Sequence, residues 1–473
     1  MNENYLVKGR MQKISSDTWP QKNRTESEGY VGGQTYMRII ENNLADVITL
    51  EDGLLDQILS PTNLNRAYRQ VRSNKGKGGV DKMEVDALKD YLIENRDGLV
   101  QSIRDGKYYP KPVRRVEIPK ENGKKRMLGI PTAVDRVVQQ AIAQVLSTIY
   151  EKQFSPHSYG FRPNRSAHQA LKKGRDYISE GYCSAVDMDL EQFFDRVNHS
   201  KLVEILSRTI KDGRVISLIH KYLRAGVVAG NKFEETNEGV PQGGPLSPLL
   251  SNIMLNELDK ELQRRGHKFI RYADDLLILC KSKRSAERTL EKILPFIEGK
   301  LFLRVNREKT QVCSINKVKF LGYTFYRNRG KGRLRVHPKS IRKMKERIKT
   351  LTSRSNGWGD AQRKESLRQF IRGWVAYFKL ADMKIILQKV DLWYRRRLRM
   401  CIWKKWKLIR TRLRNLLKLG VSESKAKLMA STRKGYWKIS GTSTLNVAIT
   451  NERLRKSGYI FLLDTFLNVK DIN

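Results

Sequence analysis

The segment that most constrains this chain is Phe269-Ile270-Arg271-Tyr272-Ala273-Asp274-Asp275-Leu276-Leu277-Ile278-Leu279-Cys280, in which two apolar runs of strand length meet at a pair of acids. The pattern predicts a β-hairpin that presents both carboxylates at its tip. Acids beside a buried hairpin are electrostatically costly, and bridging divalent cations offset that cost. Taken alone, the segment is explained equally well by an ordinary Asp-Asp turn.

A second acidic strand shifts the balance. Ala185-Val186-Asp187-Met188-Asp189-Leu190 continues into Glu191-Gln192-Phe193-Phe194-Asp195. At a period of two, Asp187 and Asp189 point to one face, so spacing leaves open which of them reaches a metal. Three acids from two neighbouring strands suit a pair of Mg²⁺ ions about 4 Å apart, an arrangement that activates a 3′-hydroxyl and neutralises a departing pyrophosphate.

Charge points to the same chemistry. The 473 residues carry 93 Lys and Arg against 49 Asp and Glu, a net charge of +44. Such self-repulsion calls for a polyanion, and nucleic acid is the leading expectation over a ribosomal-type or membrane-surface protein. With 39% hydrophobic residues the chain can build real cores, which excludes a disordered basic tail. Cys183, Cys280, Cys313 and Cys401 form no C-x-x-C pair, so neither a zinc ribbon nor a disulfide scaffold is expected, and a cytoplasmic setting fits. The longest uncharged stretch, Gly239 to Asn256, is broken by glycines and three prolines; neither a membrane span nor a secretion signal is expected.

Residues 1–50 read as a polar extension, and 51–326 as a mixed body of apolar helices such as Val137 to Tyr150 and short strands. Beyond that the composition shifts: residues 321–420 hold 30 Lys and Arg against 5 Asp and Glu. Ile341, Met344, Ile348 and Leu351 recur at helical spacing, as do Leu387, Val390, Tyr394, Leu398 and Cys401. The helices therefore have apolar stripes. Arg395, Arg396, Arg397, Arg399, Lys404 and Lys405, interleaved with tryptophans, exceed what solubility needs and point to RNA contact.

These motifs together resemble the group II intron reverse transcriptase and maturase family. Tyr272-Ala273-Asp274-Asp275 matches its signature box, and Gly239-Val240-Pro241-Gln242-Gly243-Gly244-Pro245-Leu246-Ser247-Pro248 through Asn252 its nucleotide-pocket loop. Ser158-Tyr159-Gly160-Phe161-Arg162-Pro163-Asn164-Arg165-Ser166, Ile118-Pro119-Lys120 through Arg126, Asn306-Arg307-Glu308-Lys309-Thr310, Gly373-Trp374 through Phe378 and Gly435-Tyr436-Trp437 agree in order and spacing. The resemblance covers about nine tenths of the chain.

It implies an α+β right-hand polymerase with fingers and palm at 51–326, an antiparallel palm sheet, an all-helical thumb or X domain at 327–425, and a short basic segment at 426–473. It implies an RNA-directed DNA polymerase that also acts as a maturase in splicing and retrohoming, with two Mg²⁺ at Asp189, Asp274 and Asp275. The motif Asp-x-x-x-Phe-Phe-Asp selects Asp189 over Asp187. Phe194 would sit beneath the incoming sugar, with Phe193 serving the core on the opposite face. Lys120 and Arg126 would grip the triphosphate, Gln242 would line the nucleotide pocket, and Lys309 would protonate pyrophosphate. Phe320, Leu321, Gly322 and Tyr323 would form the primer grip. The partners implied are group II intron RNA or another structured template, a DNA primer or target, and dNTPs, with no membrane.

The chain departs from many relatives in showing no paired cysteines of an H-N-H endonuclease, so second-strand cleavage is not expected. Two rival readings stand beside this one: a splicing-only RNA-binding maturase, and a domesticated reverse transcriptase in phage defence or repair. The presence of Lys120, Arg126, Gln242 and all three aspartates argues against the first.

Overall fold

A computed structural model describes residues 53–119, 125–230 and 232–471, with the backbone alone at 126, 470 and 471. The expected extension at 1–50 and Lys120 lie outside the described residues. The chain opens with helices α1 (Leu54–Ile58), α2 (Pro61–Ser73) and α3 (Leu88–Arg104), then strands β1 (Val113–Pro119) and β2 (Lys125–Ile130). Helices α4 (Ala133–Glu151) and α5 (Ala167–Ser179) lead to β3 (Ser184–Met188). After α6 (His199–Thr209) and α7 (Gly213–Leu223) come the short strands β4 (Val227–Ala229) and β5 (Lys232–Glu234). Next are α8 (Ser247–Arg264), the hairpin β6 (Lys268–Tyr272) and β7 (Asp275–Cys280), α9 (Lys283–Pro295) and β8 (Gln311–Ser314). A second hairpin, β9 (Tyr323–Asn328) and β10 (Lys331–Val336), introduces α10 (Pro338–Leu351), α11 (Asp360–Phe378) and α12 (Lys384–Lys405). The chain closes with α13 (Ile409–Lys418), α14 (Glu423–Ala430), α15 (Tyr436–Ile439), α16 (Ser443–Ala448), α17 (Asn451–Lys456) and α18 (Leu462–Asp471).

Local chemistry sets several of these boundaries. Ser60 accepts a hydrogen bond from the Asn63 N–H, and Pro61 takes the first position of α2, where a missing N–H costs nothing. Ser166 and Gln169 close a reciprocal capping box at the start of α5.

The sheets are β2-β1-β4-β5 and β6-β7-β3-β8, and every pairing in the second is antiparallel. Strands β3, β6 and β7 of that second sheet are buried on both faces, which is why they carry nearly unbroken apolar runs, whereas the edge strand β8 is partly exposed. Val186, Met188, Phe269, Leu276 and Ile278 join a core with α1–α4 and α6–α8. Ala185, Ile270, Leu277 and Leu279 face the other way, into a core shared with α5, the β9–β10 hairpin, α10–α12 and α18.

Two expectations about the C-terminal half need correction. The helical C-terminal region starts at Pro338 and not at 327, because β10 alternates exposed Lys331, Arg333 and Arg335 with buried Gly332, Leu334 and Val336. That period-two pattern is a strand signal masked by basic composition. Nor is 426–473 merely a basic segment: Ile439, Leu445, Phe461, Leu462 and Phe466 are buried in the second core.

Candidate active site

The register of β3 on β7 sets the geometry. Ser184 pairs with Cys280 and Met188 with Leu276, so Asp189 directly follows the last pair on β3 and Asp275 directly precedes it on β7. Tyr272 pairs with Asp275 across the β6–β7 hairpin, leaving Ala273 and Asp274 as its two-residue tip. Asp275 is exposed, and Asp189 and Asp274 are half-buried, so the three acids gather at the open end of a buried sheet. Asp187 instead stays within β3, flanked by Leu277 and Gln311 on the neighbouring strands. Burial pushes its carboxyl up to about 6, against a hydrogen bond from Gln311 that holds it down.

Opposed like charges at strand ends repel, and the fold supplies a counter-charge. Lys309 Nζ lies 3.1 Å from Asp189 Oδ2. The loop carrying Lys309 wraps the Asp189 backbone: the Asn306 N–H donates to the Asp189 carbonyl at 2.9 Å, and the Asp189 N–H donates to Thr310 Oγ1 at 3.1 Å. Beside the hairpin, the Tyr272 phenol is pushed up by burial and, after that, by the charge of Asp275.

The loop at 239–246 ties both sheets to this end. The Gly129 N–H on β2 donates to the Gln242 carbonyl at 2.7 Å, and the Val240 N–H donates to the Phe194 carbonyl at 2.6 Å. Gly243 adopts φ +128°, and a Cβ there would stand 2.6 Å from the Gly129 carbonyl oxygen, so only glycine fits. Gln242 is half-buried between these anchors.

The division of labour expected for the two phenylalanines is not what the fold shows. Phe193 and Phe194 lie on a single 3₁₀ turn, both buried, with ring centroids 5.2 Å apart and edge to face. The opposite-face reading fails because the strand ends at Met188, before the rings. Arg126 falls on β2 opposite Ile118, and its side chain is outside the described residues. Phe320, Leu321 and Tyr323 are buried, and the turn they form, with Leu321 at φ +51°, is capped by α11: the Tyr377 hydroxyl donates to the Leu321 carbonyl at 2.9 Å.

The basic run of α12 departs furthest from its expected outward face. Arg399 is 8% exposed, its Nε donating to the Ile449 carbonyl and its Nη2 to Asn451 Oδ1. Arg397 donates to Thr352 and to the Lys349 carbonyl. Arg395 stacks over Phe461, and Arg396 over Trp437 at 4.1 Å. Lys404 donates to the Arg354 carbonyl, and Lys405 pairs with Asp360. These cations fasten α12 to its neighbours. Sequence reasoning passed over the outward set, Arg410, Arg414 and Lys418, which α13 exposes on one face at a spacing of four. That spacing was the available signal.

Among the described residues, no three Asp, Glu, His or Cys side chains converge closely enough to cage a metal ion. An open set of hard carboxylate oxygens is what Mg²⁺ takes when water and substrate phosphates complete its shell. Also among the described residues, no helix is long and apolar enough to cross a membrane.

Residues 118–325 match the family model for reverse transcriptase (RNA-dependent DNA polymerase), which makes the chain an RNA-directed DNA polymerase, a class that uses divalent metal ions. Residues 341–420 match the group II intron maturase-specific domain. The chain is 31% identical to the group II intron-encoded protein LtrA of Lactococcus lactis subsp. cremoris, across 75% of this chain and 67% of that protein. It is 36% identical to protein YkfC of Escherichia coli K12, across 60% of this chain and 85% of that protein. The chain belongs to the group II intron-encoded reverse transcriptase and maturase family.

Proposed function

We propose that this chain copies RNA into DNA at Asp189, Asp274 and Asp275, extending a DNA primer or target with dNTPs, and that it binds its parent group II intron RNA to assist splicing and retrohoming. The observation that supports the reading is the β3–β7 register, whose last pair, Met188 with Leu276, is flanked by Asp189 on one strand and Asp275 on the other, beside the two-residue tip bearing Asp274. Two Mg²⁺ held by these carboxylates would lower the pKa of the primer hydroxyl and neutralise the leaving pyrophosphate.

The chain's own residues do the rest. Lys309, paired with Asp189, serves as the proton donor to pyrophosphate. Lys120 and Arg126 meet the triphosphate, and Gln242 and the Phe194 ring bound the nucleotide's base and sugar. The primer-grip turn at 320–323 positions through its backbone, since its side chains are buried. Fingers and palm at 51–326 and thumb at 327–425 form the working units, with α13 supplying an RNA-facing stripe of Arg410, Arg414 and Lys418. Like charges four apart destabilise a helix, so phosphate contact relieves a cost the free protein bears. Such a chain works in the cytoplasm as part of a ribonucleoprotein.

Primer extension on an RNA template with Mg²⁺ tests the reading. Asp274→Asn is expected to reduce extension on the order of 10³-fold or more while RNA affinity stays within about twofold. Loss of both together would sink the separation of palm chemistry from thumb binding. Activity without a flanking ribozyme-like RNA in the genome would favour the domesticated enzyme.

A further inference from the structure

The hairpin tip that carries Asp274 and Asp275 is held by a buried polar cluster that no motif assignment requires. Arg271 is fully buried. Its Nε donates to Asp259 Oδ1 at 2.8 Å, and its Nη2 donates to the second oxygen of the same carboxylate. Its Nη1 reaches both Asn252 Oδ1, at 3.0 Å, and the Ala273 carbonyl, at 2.9 Å. Asn252, also fully buried, donates from Nδ2 to the Gly160 carbonyl at 2.8 Å. Gly160 in turn lies against the tip so closely that a Cβ would stand 2.3 Å from the Ala273 nitrogen.

This is a closed box around one residue. Ala273 is fully buried at φ +58°, in the left-handed region that side chains rarely adopt, so its conformation persists only where the surroundings enforce it. The Arg271–Ala273 bond closes the turn from within, α8 holds Arg271 through Asp259 and Asn252, and the 158–162 loop closes the outer side. The Tyr159 N–H donates to the Arg271 carbonyl and the Arg271 N–H to the His157 carbonyl, which locks that loop to β6.

We infer that Asn252, Arg271 and Asp259 are positioning residues for the catalytic pair, setting the direction in which Asp274 and Asp275 leave the tip. Core packing alone would not need three converging polar side chains, since a buried ion pair gives little net stability over an apolar replacement. A site built for metal and substrate needs carboxylates fixed to a fraction of an ångström, and a rigid polar box supplies this where a free two-residue turn would not. The inference rests on the polymerase reading and adds to it the device that aims the acids.

A matched pair of variants tests it. Asn256 lies one turn along α8, is also buried, and also bridges to the segment before the loop, accepting from the Ser155 N–H and donating to the Gln153 carbonyl, each at 3.1 Å. It does not touch the hairpin box. Asn252→Ala is expected to lower kcat for primer extension about 30-fold with the dNTP KM changed less than about threefold, whereas Asn256→Ala, with a comparable fall in Tm, keeps activity within about twofold. Asn252→Asp retains the acceptor for Arg271 and loses the donor to Gly160, and is expected to fall between wild type and alanine.

Mn²⁺ binding followed by electron paramagnetic resonance, without template or nucleotide, supplies a readout independent of turnover. Binding is expected to weaken several-fold in Asn252→Ala and to hold in Asn256→Ala. Equal losses in the two alanine variants, or wild-type activity and Mn²⁺ binding in Asn252→Ala, would overturn the inference. An inactive wild type would instead count against the polymerase reading, and the Mn²⁺ comparison would still decide the role of the box.

Discussion

The tip of the β6–β7 hairpin and the helix α12 use charge in opposite directions. At the tip, Asp274 and Asp275 lie at the solvent-facing end while Arg271 is buried behind them, paired with Asp259. Along α12, the arginines and lysines that look made for RNA are mostly engaged by neighbouring elements, and the buried Arg399 serves the carbonyl of Ile449. A charged residue in a motif is therefore not assigned by its density in the sequence. What decides is whether the fold leaves the charge a partner: the arginines of α12 meet carbonyls and aromatic rings, whereas Arg410, Arg414 and Lys418 stand together on one exposed face.

The largest test of this contrast is Arg399→Leu. It should lower stability by about 2–4 kcal/mol, because the Ile449 carbonyl is left without its charged donor, and a denaturant melt measures it. The salt dependence of RNA binding should hardly change; a shallower slope would return Arg399 to the RNA surface. On the palm side, Phe194→Val should raise ribonucleotide incorporation by about tenfold or more if the ring limits the sugar, a discrimination of the size that steric fit supplies. Equal dNTP preference in both enzymes would leave Phe194 with its core role alone.

A smaller effect separates α13 from α12. Replacing Arg410, Arg414 and Lys418 with Gln should reduce the slope of log K against log salt by about one per lost phosphate contact. The melting temperature should hold or rise slightly, since the repulsion along the helix is relieved. A lowered melting temperature with an unchanged slope would make α13 another fastening helix.

The smallest effect is one of pH. His337 caps α10 through Nδ1, which accepts from the Lys339 N–H, and burial followed by Lys319, Lys339 and Arg335 lowers its pKa to about 4. The folded state thus binds fewer protons than the unfolded chain between about pH 6.5 and 4, and stability is lost as pH falls through that window. His337→Asn keeps a capping side chain without the titration and should flatten the Tm profile there. An equal slope in both proteins would place the acid sensitivity elsewhere.

The acid-tipped hairpin, the second acidic strand and the apolar stripe of Leu387, Val390, Tyr394 and Leu398 were all legible, because periods of two and 3.6 survive in a single sequence. The pairing of Arg271 with Asp259 was not. It joins a strand to a helix face, and nothing in the spacing marks either residue as buried. The burial of Arg399 was hidden for a different reason: four arginines within five positions spread around much of the helix, so periodicity cannot tell which of them meets solvent. Phe193 and Phe194 were misjudged because a strand pattern was extended past Met188 into a 3₁₀ turn.

The second core runs without a break from Ala185, Ile270 and Leu277, behind the acid-tipped hairpin, through Phe325 and Leu334 of the second hairpin to Leu387, Tyr394 and Phe461. This constrains what descent can do to such a chain. If selection kept only its grip on RNA, the aspartates could drift within a few substitutions, but strands β3, β6 and β7 could not, because their apolar residues share one core with helices α10–α12. A splicing-only descendant would therefore carry a silent palm, recognisable by its strands long after its chemistry had gone.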